Sequence, residues 1–177
     1  MRRSSFADMN CAVAQSLEQI GEWWTMLILR DALLGVRRFE DFQSRLGIAR
    51  NILSARLDTL VGHGILARRV YSERPVRHEY VLTDKGRALW PVMTALRQWG
   101  EEWAHDFDLP PTVLIHDTCG HVCEAVPHCS HCDEPLTLRT IHLEQGPGGD
   151  PGLVPERPRR PDTASQAGAG EREADET

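Results

Sequence analysis

The chain has 177 residues, 41% of them hydrophobic, which suffices for one modest core and not for two large ones. It contains no apolar run long enough to span a bilayer, and its start, MRRSSFADMNCAVAQ, has neither an apolar core nor a small-residue cleavage site, so no membrane span or secretory signal is expected and the setting reads as cytoplasmic. The net charge of −6 conceals a segregation: residues 1–105 hold 15 of the 20 Lys+Arg and 12 of the 26 Asp+Glu, a surplus of 3 positive charges, so overall acidity does not exclude an anionic partner for the front half.

Val13, Ala14, Leu17 and Ile20 recur at helical spacing, with Asn10 placed to cap the helix and Gly21 to break it. The stretch EWWTMLILRDALL, 22–34, is apolar nearly all round and reads as a central core helix ended by Gly35. RFEDFQSRL puts Phe39, Phe42 and Leu46 on one face of a short helix, and GIA, 47–49, is a tight turn. RNILSARLDTLVGHG then sets Leu53, Leu57, Leu60 and Val61 on one stripe, with Gly64 where a glycine past a helix end belongs. From Ile65 the period changes: ILARRVY and HEYVL have strand composition and are joined by SERPVR, a turn segment with Pro75, so a hairpin is expected. Thr83 caps a long helix over roughly 84–105, in which Leu89, Val92, Leu96, Trp99 and Trp103 form a heptad seam. Pro91 must either kink that helix or lie close to its start.

After Pro110-Pro111 the character shifts. TVLIH and LTLRTIHLE read as short strands on either side of a Cys/His cluster, and from Gln145 a Pro/Gly/Ala/charge-rich stretch without core pattern reads as disordered. The expected organisation is a helical domain over 1–107, a small Cys/His-rich module over 112–143 and a disordered tail over 144–177.

Helix, helix, short helix, turn, helix, hairpin, long helix is the order of a winged helix-turn-helix domain: mainly α, with a small β wing and a C-terminal dimerisation helix. In that geometry the second helix of the pair enters the major groove of duplex DNA with its N-terminal residues at the base edges. Asn51 and Ser54 are then placed to read bases, Arg38, Arg50 and Arg56 to reach phosphates, and Arg74 and Arg77, flanking the hairpin tip, to meet an adjacent groove. Residues 37–87 carry 11 basic against 6 acidic side chains, a modest electrostatic footprint for nucleic acid. A homodimer is expected to form through Val13 and Leu17 together with Leu89, Val92, Leu96, Trp99 and Trp103. The chain has no phosphate-binding glycine loop, HExxH or GxSxG motif, so no enzyme is expected, and no residue pattern names a small-molecule effector.

The segment CAVAQSLEQIGEWWTMLILRDALLGVRRFEDFQSRLGIARNILSARLDTLVGHGILARRVYSERPVRHEYVLTDKGRALWPVMTALRQWG resembles the HxlR-type family of bacterial winged-helix transcription regulators over about residues 8–105. The likeness is carried by Cys11 before the first helix, by WT.LILRD.L.G.RRF..F, by L..RL..L...GIL.R, by EY.LT..G and by the late tryptophan. It implies a homodimer built on the first and last helices, a palindromic operator, and tolerance of a proline early in the last helix. Ala12 stands where the family usually has proline, and Glu22-Trp23 where a glycine-lysine or similar pair is common. Some members use the cysteine matching Cys11 as a redox sensor; the competing role for Cys11 is that of a small apolar residue buried in the dimer interface.

Four of the five cysteines lie in HDTCGHVCEAVPHCSHCDEP, 116–135. Two ligand sets for a structural zinc are open: His116, Cys119, Cys129 and Cys132, or Cys123 in place of His116. Nothing in the pattern supplies an open coordination position with a nearby base, so catalytic zinc is not expected. The rival to a DNA-binding regulator is a zinc-ribbon-like protein-interaction module carried on a dimeric helical scaffold.

Overall fold

The computed structural model describes residues 5–104, 109–150 and 154. Four helices come first: α1 (Ala12–Ile20), α2 (Trp23–Leu33), α3 (Phe39–Leu46) and α4 (Arg50–Gly62). The strands β1 (Leu66–Glu73) and β2 (Val76–Leu82) follow, then α5 (Asp84–Arg87), α6 (Trp90–Trp103), and a second pair of strands, β3 (Ile115–His116) and β4 (His121–Val122). The chain divides into two compact units, one to Thr140 and one from Ile141. Most of the expected disordered tail, 151–153 and 155–177, lies outside the described residues.

The core forms where the apolar stripes predict it. Ile28 and Leu29 of α2, Phe42 of α3, and Leu53, Leu57 and Leu60 of α4 are wholly buried, together with Ile65 and Leu66 at the entry to the hairpin. Burying each such side chain contributes about 1.5–3 kcal/mol, which offsets the cost of ordering these short helices. Val61 packs at the edge of this cluster, and Gly64, at φ 67°, closes the end of α4 as its position suggested.

α2 is not apolar all round in the way its sequence suggests. Trp23 stands largely in solvent, whereas Asp31 is wholly buried. The Asp31 carboxylate accepts from Arg30 Nε and Arg45 Nε, both at 3.0 Å, which ties α2 to α3. Between α3 and α4, Gly47 adopts the left-handed conformation (φ 61°) that lets the chain reverse within three residues; Ile48 plugs into the core and Ala49 opens α4.

β1 and β2 pair antiparallel from Leu66↔Leu82 to Glu73↔Val76, with one irregularity between Val70 and Ser72. Residues 37 and 38 add a short third edge: Tyr80 donates its N–H to the Arg37 carbonyl at 2.8 Å, and Arg38 bridges Glu79. This edge has no strand composition of its own, because it is supplied by the turn out of α2.

The sequence and the structure part elsewhere as well. The cap of α1 is Cys11, with no side-chain capping bond, one residue after the expected Asn10. The helix expected over 84–105 is two helices. Thr83 does cap the first, accepting from Gly86 N at 3.1 Å, but Pro91 has no N–H for the Arg87 carbonyl, so α5 ends there and α6 starts afresh with Pro91 in its first turn. TVLIH contributes only Ile115–His116 to a strand. LTLRTIHLE forms no strand: Thr137 N donates to Thr140 Oγ1 at 2.9 Å and Thr140 N to the Thr137 carbonyl, so local side-chain bonding makes a turn.

Candidate nucleic-acid interface

α4 buries Leu53, Leu57 and Leu60 and leaves Arg50, Asn51, Ser54 and Ala55 exposed, the division that a groove-reading helix requires. Its first turn therefore presents free N–H groups, a cation and an amide together, a combination suited to phosphate and base edges. The Arg50 guanidinium lies 4.9 Å over the Phe39 ring, and that of Arg38 lies 4.8 Å over the Tyr71 ring. Stacking of this kind holds a cation at a surface without neutralising it.

The arginines of residues 5–104 sort into two groups. Arg30 and Arg45 hold Asp31, Arg56 pairs with Glu22, Arg68 with Asp58, Arg69 with Glu79, Arg87 with Asp84 and Arg97 with Glu101. Arg37, Arg38, Arg50, Arg74 and Arg77 are exposed and have no carboxylate partner among the described residues. These five fall at the entry to α3, the start of α4 and the hairpin tip. Exposed Glu40, Asp41 and Glu73 lie among them, so the face is mixed, with cations in excess.

Six of the seven residues expected at the DNA face thus stand exposed: Arg38, Arg50, Asn51, Ser54, Arg74 and Arg77. Arg56 is engaged elsewhere. Its Nη2 lies 3.2 Å from Glu22, its side chain is only 30% exposed, and its Nε is buried without a partner. Arg37 is a free cation that sequence reasoning passed over; the doublet Arg37-Arg38 before an amphipathic helix was the available signal.

A second surface is apolar. Val13 and Leu17 on α1, and Val92, Leu96, Trp99 and Trp103 on α6, stand about half or more in solvent, with Trp99 at 58% and Trp103 at 69%. Leu89, expected on this seam, lies instead just before α6 and packs with Met93 against the core. Cys11 is partly buried at the start of α1.

The Cys/His segment lies beside another side of α6, where Ala125 N donates to Gln98 Oε1 at 3.1 Å. A groove of about 490 Å³ separates the two, lined by Arg97, Glu101, Val113, Leu114 and Cys123 among others. His116 Nδ1 lies 3.4 Å from Cys119 Sγ. The N–H groups of His131 and Cys132, and then the Cys132 thiol, face the Cys129 sulfur and hold that thiol below the usual cysteine range. Among the described residues no three His, Cys, Asp or Glu side chains converge closely enough to hold a metal ion.

The model of the HxlR-like helix-turn-helix family matches residues 19–108. The uncharacterized HTH-type transcriptional regulator Rv3095 of Mycobacterium tuberculosis is 46% identical over 137 residues, spanning 77% of this chain and 87% of its own. YvaP of Bacillus subtilis, another uncharacterized HTH-type transcriptional regulator, is 37% identical over 90 residues, 50% of this chain and 83% of its own. Among solved structures, PA1607, described as a candidate transcription factor, is 39% identical with a TM-score of 0.70, covering 78% of this chain and 97% of that one. PA1374 from Pseudomonas aeruginosa, described in the same way, is 36% identical with a TM-score of 0.57, over 81% of this chain and 97% of that one. No helix among the described residues is long and apolar enough to cross a membrane.

Proposed function

We propose, on the premise that the chain belongs to the HxlR-like helix-turn-helix family and is a transcriptional regulator rather than an enzyme, that it grips a palindromic operator as a homodimer. One observation carries the reading. Among residues 5–104, the arginines without carboxylate partners gather at the start of α4, the entry to α3 and the hairpin tip, while the others are paired. A cation that is structurally idle and exposed is available to displace counterions from phosphate; one already locked to a carboxylate is not.

In this reading α4 lies in the major groove, with Asn51 and Ser54 at base edges and Arg50 at the backbone. Arg74 and Arg77 bring the hairpin tip to the neighbouring groove, and Arg37 and Arg38 touch phosphate beside it. The exposed stripes of α1 and α6 pair with those of a second copy, because tryptophans this exposed leave apolar surface that association removes from water. A two-fold dimer of such heads contacts two half-sites about 10 base pairs apart, or a multiple of that.

Footprinting on DNA upstream of the protein's own gene tests this. Two protected patches related by two-fold symmetry and separated by whole helical turns are expected. A single asymmetric patch saturated by one chain, or no protection even at low salt, would overturn the reading.

A further inference from the structure

Among the described residues, three arginines lie over aromatic rings: Arg38 over Tyr71 at 4.8 Å, Arg50 over Phe39 at 4.9 Å and Arg68 over Tyr80 at 5.9 Å, from guanidinium carbon to ring centroid. Arg68 is also paired with Asp58, so its charge is already answered. Arg38 and Arg50 have no carboxylate partner among the described residues. Phe39 and Tyr80 help to build the core. Tyr71 does not: it is exposed and lies outside the core cluster. Its ring therefore stands at a surface position where packing does not call for an aromatic side chain.

The backbone aims Tyr71 at Arg38. The ladder shifts register between Val70↔His78 and Ser72↔Arg77, which leaves Tyr71 as the extra residue of a bulge on β1. A bulge re-aims the side chain it carries. The turn out of α2 is fixed in its turn as a sheet edge, since Tyr80 N donates to the Arg37 carbonyl at 2.8 Å and Arg38 bridges Glu79. The Glu79 carboxylate across that bridge accepts from Arg69 Nε at 2.7 Å, so it does not compete for Arg38. Arg37, the other cation of the doublet, shares the edge and has no ring contact among the described residues.

A ring and a carboxylate hold a guanidinium in different ways. A carboxylate takes its N–H edge and cancels its charge. A ring meets its flat face, and the N–H groups still point outward in the plane. We infer that Tyr71 is a positioning residue of the nucleic-acid face: its ring is the platform that holds Arg38 so that the in-plane N–H groups meet a phosphate of bound DNA. This rests on the reading that the arginines without carboxylate partners face DNA. Ordering a long side chain on binding lowers affinity, and the platform makes that ordering before DNA arrives. The bulge that aims Tyr71 is then part of the DNA face.

Phosphate contacts are indifferent to sequence, so the test titrates the full-length chain with a duplex of arbitrary sequence at low salt. Tyr71→Leu should weaken binding about three-fold, and Tyr71→Phe, which keeps the ring, should bind like the parent. In double-mutant cycles Tyr71→Leu should add nothing to Arg38→Ala, yet keep its full effect in Arg37→Ala. In the DNA-free protein, side-chain nitrogen relaxation should show Arg38 Nε more ordered than Arg37 Nε, and Tyr71→Leu should bring the two level. Equal order of the two in the parent overturns the platform, as does an undiminished effect of Tyr71→Leu in Arg38→Ala. Equal losses in Tyr71→Phe and Tyr71→Leu assign the effect to the hydroxyl and overturn it as well. If Arg38→Ala weakens binding while Tyr71→Leu does not, the DNA face stands and only the platform falls. If Arg38→Ala binds like the parent, or the parent binds no duplex, the placing of Arg38 on DNA fails and the platform with it.

Discussion

The buried carboxylate of Asp31 gives a stability prediction that can be worked through. Both of its oxygens are used: Oδ1 accepts from Arg30 Nε at 3.0 Å and Nη2 at 2.9 Å, and Oδ2 from Arg45 Nε at 3.0 Å. Arg45→Met keeps most of the apolar stem and deletes the partner of Oδ2. A hydrogen bond to a charged group contributes about 1.5–3 kcal/mol net. The Arg45 side chain is 51% exposed and Arg30 still neutralises the charge, so the low end applies, about 1.5 kcal/mol. Removing Arg30 and Arg45 together strands the carboxylate in the core, at a cost of about 4 kcal/mol. With Arg30→Met costing a similar amount, about 1.5 kcal/mol, the double variant should exceed the sum of the singles by about 1 kcal/mol. Urea unfolding at one fixed chain concentration reads this as a Cm lowered by about 0.7 M for Arg45→Met at an m near 2 kcal/mol/M, with m unchanged. A Cm shift within error for Arg45→Met, or strict additivity in the double, would refute the idea that this carboxylate clamps α3 to α2.

On DNA, Arg77→Ala should weaken binding to all sequences alike and lower the magnitude of the salt slope by about one, whereas Asn51→Ala should relax preference at one base position by about 1–3 kcal/mol. Fluorescence titrations at several salt concentrations, on operator and scrambled duplexes, distinguish the two; equal effects on both duplexes from Asn51→Ala would remove it from the reading face. Trp99→Asp combined with Trp103→Asp should yield monomers by light scattering, because charge on both tryptophan positions keeps that stripe hydrated; an unchanged mass would exclude the stripe as the interface. Glu18 accepts from Phe6 N–H and Ser5 Oγ, both at 2.8 Å, and these bonds, the Phe6 amide first, hold its carboxyl below the ordinary value. A lowered folded pKa means that the contribution is present above the ordinary carboxylate pKa and lost as pH falls through the folded value. Hydrogen exchange at the Phe6 amide should accordingly quicken beyond its intrinsic pH trend as the pH falls below the ordinary carboxylate range, and Glu18→Gln should abolish the excess.

Periodicity marked α1, α3 and α4, since each has one face it must bury: Leu53, Leu57 and Leu60 could point nowhere else once α4 formed. The sequence also determined where the hairpin turns, through Pro75, and that α4 ends at a glycine. Composition around 116–135 marked a cysteine- and histidine-rich segment without saying which of its side chains face one another. What periodicity cannot register is which of several chemically identical side chains has a partner from a distant element. Arg56 and Arg50 sit on the same helix, yet one meets Glu22 and the other a phenyl ring. Leu89 continues the heptad of α6 on paper, but the break at Ala88 places it against the core. Residues 37 and 38 become a sheet edge only because Tyr80 and Glu79 come to lie beside them. Local pattern fixes which face of an element is buried, because burial is decided by the residue's own chemistry. Ion pairing and edge pairing are decided by what arrives opposite, and only the packed chain contains that information.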